Sequence, residues 1–214
     1  MVIRMTEIKV CGITSTKEAL WLMEEKVEYA GMVLFQEEHK KNVRMDSAYS
    51  IIRVLQSKGK EQAPKAVAVT KSPSIEQIAM IQKLGFDYIQ VSGKLEKNAY
   101  ETIVLPIIRE VNTENLGALN SYIENEKVEG ILLNITEYLE KKKVDWSLIR
   151  EYTDKIKSGN KKCILAGEKQ TDYMEKIIQQ LQPDMVEVNE EIESLDNQEK
   201  DRVQMHRLVN AVRI

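Results

Sequence analysis

Apolar positions along this chain follow two alternating rhythms. Short, mainly apolar runs, many of them β-branched, occupy residues 8–11, 29–35, 66–70, 88–91, 103–108, 130–134, 163–166 and 185–188. Between them the apolar residues recur at i, i+3, i+4 and i+7, as in Ala48, Ile51, Ile52 and Leu55, and again in Met174, Ile177, Ile178 and Leu181. Met205, Leu208, Val209 and Val212 repeat the pattern near the C-terminus. The first rhythm predicts strands buried on both faces, the second amphipathic helices. Ser15 with Glu18 and Ser74 with Gln77 have capping-box spacing, so both helix starts have a side chain for their free backbone donors. Gly85 suits the end of the helix that Ser74 opens.

Buried strands alternating with amphipathic helices pair in parallel, because each crossover helix covers a sheet face. Eight such units predict an α/β fold, a (β/α)8 TIM barrel with helices outside a parallel eight-stranded barrel. An open doubly wound sheet fits the rhythm too, but no Gly-rich dinucleotide fingerprint follows the first run. No Pro- or Ser-rich linker divides the chain, so residues 1–214 are expected to form one domain, with 58–65 and 157–162 as exposed loops.

Composition narrows the function classes. A net charge of −3 gives no general attraction to nucleic acid or to an anionic membrane, and neither is an expected partner. Two cysteines, Cys11 and Cys163, cannot make a disulfide framework, which points to a reducing cytoplasm. The first residues lack the apolar core and cleavage site of a signal peptide, and no apolar run reaches membrane-spanning length. Monomer and homodimer are both compatible with this pattern.

In a (β/α)8 barrel the chemistry lies at the C-terminal ends of the strands. The positions to watch are therefore Cys11, residues 35–41, Thr70, Ser92, Asn134, Glu168 and residues 189–191. Cys11 ends the first run beside Gly12, where a thiol can serve as a reactive group or as a small buried hydrophobe. Cys163 begins a strand, away from that face, and reads as structural. Trp146 reads as core. His39 and His206 are far apart in sequence and, with His206 on a helix, suggest no metal site.

The segment Lys9-Val10-Cys11-Gly12-Ile13-Thr14 resembles the Lys-Ile-Cys-Gly-Ile-Thr opening of the phosphoribosylanthranilate isomerase family, which performs an Amadori rearrangement in tryptophan biosynthesis. The resemblance continues in order. Gly31 to Phe35 is similar to the family's second strand, Ile89 to Gly93 to its Gln-Leu-His-Gly, and Ile131 to Asn134 to its Leu-Leu-Leu-Asp. Asp145-Trp146 matches the start of a family helix, Ile164 to Gly167 the seventh strand, and Val188 to Ser194 the place of Val-Ser-Ser-Gly-Val-Glu-Ser.

The resemblance implies that a small-molecule ligand binds at the C-terminal face, that no metal or cofactor takes part, and that two residues do the proton chemistry. A carboxylic acid protonates the ribose ring oxygen, and the strand-one thiolate takes the C2 proton of the resulting imine. Cys11 fills the second role. Asn134 stands in the acid's place, and a carboxamide donates no proton usefully near neutral pH. It also suits a turn cap.

Substrate binding is altered as well. Lys41 aligns with the family's carboxylate-binding Arg, keeping the charge without the bidentate fork. Gln90 matches a family Gln, whereas Ser92 replaces the following His. The phosphate turns depart further: Leu139 to Lys143 replace Gly-Thr-Gly-Lys-Thr, Glu168 follows Gly167 where a second Gly is usual, and Asn189-Glu190-Glu191 replace Ser-Ser-Gly. One carboxylate about 4 Å from a phosphate charge costs roughly 4 kcal/mol at an effective dielectric of 20, before solvent screening. Paired with Lys141 to Lys143, these glutamates would instead be solvated loop charges. Three readings follow: an isomerase with weak or lost activity, a non-catalytic or regulatory barrel, and a barrel for a different, non-phosphorylated or cationic ligand.

Overall fold

The computed structural model describes residues 5–59, 63–112, 115–140, 144–167, 173–189, 192–194 and 199–213. Its strands are β1 (Glu7–Val10), β2 (Tyr29–Val33), β3 (Lys65–Lys71), β4 (Tyr88–Ser92), β5 (Ile107–Val111), β6 (Val128–Asn134), β7 (Lys162–Ala166) and β8 (Met185–Val188). They follow one another in chain order in a closed barrel. Pairing is parallel, with Tyr29 to Val33 of β2 matching Lys65 to Val69 of β3, and Gly130 to Asn134 of β6 matching Lys162 to Ala166 of β7.

The connecting helices are α1 (Thr16–Glu24), α2 (Met45–Leu55), α3 (Ile75–Leu84), α4 (Lys97–Thr102), α5 (Leu119–Glu124), α6 (Thr136–Leu139), α7 (Trp146–Ser158), α8 (Met174–Lys176, continued by a π-turn over Ile177–Leu181) and α9 (Arg202–Val212). Ser15 and Ser74 cap α1 and α3 with reciprocal capping boxes, and Gly85 ends α3 at φ 87°, a backbone conformation that costs an L side chain strain. The apolar stripe of α2 buries Ala48, Ile51, Ile52 and Leu55, as its 3.6-residue period requires.

The contacts divide the chain into two compact units, Lys9–Arg109 and Glu110–Ile214 with Met1–Ile8. In the first, an aspartate clips two strands together at their N-terminal ends: Asp87 accepts from the Ala66 amide at 2.8 Å and donates its own N–H to the Ala66 carbonyl at 2.9 Å. Tyr29 and Tyr88 meet edge to face at 5.7 Å, with the Lys65 ammonium over both rings. In the second unit Asp184 repeats the clip on Cys163, at 2.8 Å and 3.0 Å. Lys162 pairs with Glu7 at 2.7 Å, and the Glu7 amide donates to the Asp184 carbonyl.

Several expected boundaries move. The fifth strand lies at Ile107–Val111 rather than 103–108, because Ile103 closes α4 with a bond to the Ala99 carbonyl and Pro106 has no N–H for a ladder. Val104 is accordingly 81% exposed. The second strand stops at Val33, although the Leu34 amide still reaches the Val69 carbonyl, because Phe35 takes φ 57° and turns the chain away. The stretches expected as loops are partly structured. Lys65 opens β3, Lys162 opens β7, and Lys157 lies on α7 with its ammonium on the Leu181 and Gln182 carbonyls. Trp146 is half-buried rather than core; it is the first residue of α7, and its ring meets that of Tyr173 and the Lys176 ammonium.

Candidate active site

Cys11 follows β1 directly and is 4% exposed. Gly12 takes φ 74°, so the chain turns sharply after the thiol. Glu18 then fixes the turn: its carboxylate accepts from the Thr14 amide at 2.7 Å, the Thr14 hydroxyl at 3.1 Å and the Ser15 amide at 3.1 Å. Ile13 donates to the Gly31 carbonyl at 2.9 Å. The capping box read in the sequence therefore does more than start α1, because it also holds the loop that carries the thiol.

Beneath Cys11 lies Lys9, which the sequence reading left without a role. Lys9 is fully buried and donates to Gln90 Oε1 at 2.8 Å. A methyl group at Gly31 would stand 3.1 Å from Cys11 Sγ and 3.2 Å from Lys9 Nζ, so the bare glycine lets both heads approach β2. The signal was legible: residues two apart on a strand share a face. Gln90 is thus brought to the Cys11 cluster through Lys9.

Lys41 is 6% exposed on the connection between β2 and α2, and its amide donates to His39 Nδ1 at 3.1 Å. A cavity of about 590 Å³ lies between this connection and the one after β3, lined by Phe35, Gln36, Glu37, Glu38, His39, Lys71 and Ser72. Lys9, Lys41 and Arg109 are buried cations of this unit, and Glu18 is a buried acid. Arg109 donates to the Gly93 carbonyl at 2.6 Å and lies over the Tyr100 ring.

In the other unit Asn134 ends β6 half-buried, and its Oδ1 accepts from the Thr136 amide at 3.1 Å and the Thr136 hydroxyl at 2.8 Å. The carboxamide oxygen thereby caps the turn into α6. Gly167 joins it at Thr136, since a Cβ on Gly167 would stand 2.9 Å from the Thr136 nitrogen. Asn189 gives its carbonyl and Oδ1 to the Lys200 ammonium, at 2.5 Å and 3.0 Å. That ammonium also pairs with Glu193 at 3.2 Å, both side chains being nearly fully buried. Sequence reading missed Lys200, and nothing in its spacing marks it, because the partners are brought together by the loop after β8. Glu168, Glu190, Glu191 and Lys141 to Lys143 lie outside the described residues.

Cys163 is buried at the start of β7, and burial pushes its thiol up to about 12, so it stays protonated and unreactive near neutral pH. Among the described residues no group of three or more His, Cys, Asp or Glu is arranged to hold a metal ion. No helix there is long and apolar enough to cross a membrane.

A closed parallel barrel with a thiol at the end of its first strand defines the class: a (β/α)8 barrel of the kind whose chemistry sits at the strand ends. The chain belongs to the N-(5′-phosphoribosyl)anthranilate (PRA) isomerase family, whose sequence pattern matches residues 8–211. It is 27% identical over 197 residues to the N-(5′-phosphoribosyl)anthranilate isomerase of Petrotoga mobilis, covering 88% of each chain. It is 24% identical over 210 residues to that of Streptococcus pneumoniae Hungary19A-6, covering 98% of this chain and 96% of that one. Among solved structures, the Thermotoga maritima phosphoribosyl anthranilate isomerase superposes with a TM-score of 0.78 at 22% identity, over 97% of this chain and 98% of that one. A phosphoribosyl anthranilate isomerase solved with reduced 1-(o-carboxyphenylamino)-1-deoxyribulose 5-phosphate superposes at 0.77 with 21% identity, over the same shares.

Proposed function

We propose that this protein catalyses the Amadori rearrangement of N-(5′-phosphoribosyl)anthranilate at a reduced rate, with Cys11 as the base that removes the C2 proton. The observation that carries the reading is the Cys11 cluster: a thiol held by a Glu18-anchored turn, facing a bare glycine, with a buried ammonium beneath it. Buried cations in the same unit, Lys9 and Lys41, suit an anionic substrate. The reduced rate follows from Asn134, whose oxygen is committed to Thr136 and whose amide is no acid. Losing a positioned general acid costs about 10² to 10⁴ in rate.

The test is conversion of the aminosugar phosphate by purified protein, followed chromatographically beside Cys11→Ala and Asn134→Asp. Slow turnover, lost with Cys11→Ala and raised with Asn134→Asp, supports the reading. Turnover indifferent to Cys11→Ala would overturn it, as would a wild type and an Asn134→Asp variant that are both inert. A silent wild type awakened by Asn134→Asp would favour the non-catalytic relative instead.

A further inference from the structure

The arrangement around Gly31 also bears on the ionisation of the thiol, which the reaction scheme takes for granted. Residues 9 and 11 project to the same side of β1, and the register sets Lys9 beside Tyr29 and Val10 beside Ala30 on β2. Two positions up, β2 has no side chain. Into that gap the structure brings two heads, Cys11 Sγ and Lys9 Nζ, each just over 3 Å from where a Gly31 Cβ would be. They can be no further apart than those two distances combined. Burying an ammonium completely is costly. Gln90 meets part of that cost by accepting from Nζ at 2.8 Å, which also fixes where the positive charge points.

We propose that Lys9 is a positioning residue that holds Cys11 in its thiolate form, with Gly31 as the spacer that lets the charge approach the sulfur. The inference rests on the reading of Cys11 as the base, but a thiolate can be measured without turnover. An ammonium within about 6 Å of a thiolate in a site of intermediate dielectric favours ionisation by roughly one to two pH units or more. The other charged groups on bordering elements have their own engagements or positions. Glu18 at the start of α1 is bonded to Thr14 and Ser15, Lys65 lies over Tyr29 and Tyr88 at the N-terminal end of β3, and Glu187 stands on β8, next to β1 in barrel order.

The experiment is a pH titration of thiolate ultraviolet absorbance, taken as the difference between each protein and its Cys11→Ala counterpart. Cys163 cancels in that difference. The wild-type midpoint is expected below the ordinary cysteine value of about 8.5. Lys9→Met should raise it by about one to two units, with Lys9→Arg staying close to wild type. Iodoacetamide, whose iodide is displaced by the thiolate, should accordingly alkylate Cys11 about 10- to 100-fold more slowly at pH 7 in Lys9→Met. A Lys9→Met midpoint that coincides with wild type overturns the proposal. If Lys9→Met does not fold, a wild-type midpoint at or above 8.5 overturns it without any variant. An inert wild type with a low midpoint would sink the proposed function and leave this inference standing, so the two failures are distinguishable.

Discussion

The two compact units build the N-terminal ends of their strands in the same way and the C-terminal ends differently. Asp87 and Asp184 stand just before β4 and β8 and clip the starts of β3 and β7 through one side-chain and one backbone bond each. At the other end the Lys9–Arg109 unit presents a thiol above a buried ammonium. The unit containing Glu110–Ile214 presents a carboxamide folded into its own turn and an asparagine tied to Lys200. The clip satisfies a backbone amide and a backbone carbonyl at the start of β3 and again at the start of β7, a need that does not depend on any ligand. Reactive groups answer to a ligand instead, and the two ends can change independently.

The strongest way to break this comparison is to remove the proposed base. Cys11→Ala should lower isomerase turnover by about 10³-fold or more while leaving the melting temperature within a few degrees, measured by steady-state assay and calorimetry. A variant that keeps its rate would mean that the thiol end of the first unit is as inert as Cys163.

Next in size is the buried pair after β8. Lys200→Met removes the ammonium paired with the buried Glu193 carboxylate and should cost about 3 kcal/mol in urea unfolding, as breaking a buried ion pair from one side does. A cost below about 1 kcal/mol would show that this loop contributes little to the second unit.

Asn134→Asp sharpens the contrast directly. It returns an ionisable acid to the end of β6 and should raise kcat by about 10²-fold, with the Thr136 contacts still available to the new carboxyl oxygen. An unchanged kcat would remove Asn134 as the proposed cause of a reduced rate.

The shared clip makes a paired prediction. Asp87→Ala and Asp184→Ala should each lose about 1 to 2 kcal/mol, by similar amounts, since each strands one buried amide. Strongly unequal losses would end the parallel between the units.

At neutral pH the smallest effect is that of Cys163, which shows itself only in alkali. Burial pushes its thiol up to about 12, so above the ordinary cysteine range of about 8.5 to 9 the unfolded state ionises first and binds fewer protons than the folded one. Stability from this group is therefore complete below pH 9 and declines on the way to 12, by up to about 1.4 kcal/mol per pH unit. Unfolding of wild type against Cys163→Ala at pH 8 and pH 10.5 would reveal the slope, and parallel curves would exclude it.

Much of this protein could be read from residue order, and the misreadings have identifiable causes. Strand rhythm located the eight strands, the fifth only in part, and helix rhythm located α2, α8 and α9, since burial on both strand faces and on one helix face leaves a period in the sequence. The fifth strand was misplaced because Ile103 to Ile108 is apolar throughout, and only the helix end at Ile103 and the missing N–H of Pro106 separate a turn from a strand. Cys11 and Asn134 were legible as strand-end residues, whereas the commitment of the Asn134 oxygen to Thr136 depends on a turn geometry that spacing does not fix.

By itself, then, the sequence determined the eightfold alternation of strands and helices, the helix caps, and the residue types at the strand ends. All of these are local or periodic properties. Only the tertiary structure decided that Lys9 would be buried beneath Cys11 with Gln90 on its ammonium, that Gly31 would give both of them room, and that Lys200 would close the loop after β8. The Lys9–Gln90 and Gly31 contacts join residues far apart along the chain, the Lys200 contacts depend on the path of one loop, and all their energies depend on desolvation and separation, which exist only once the chain has folded.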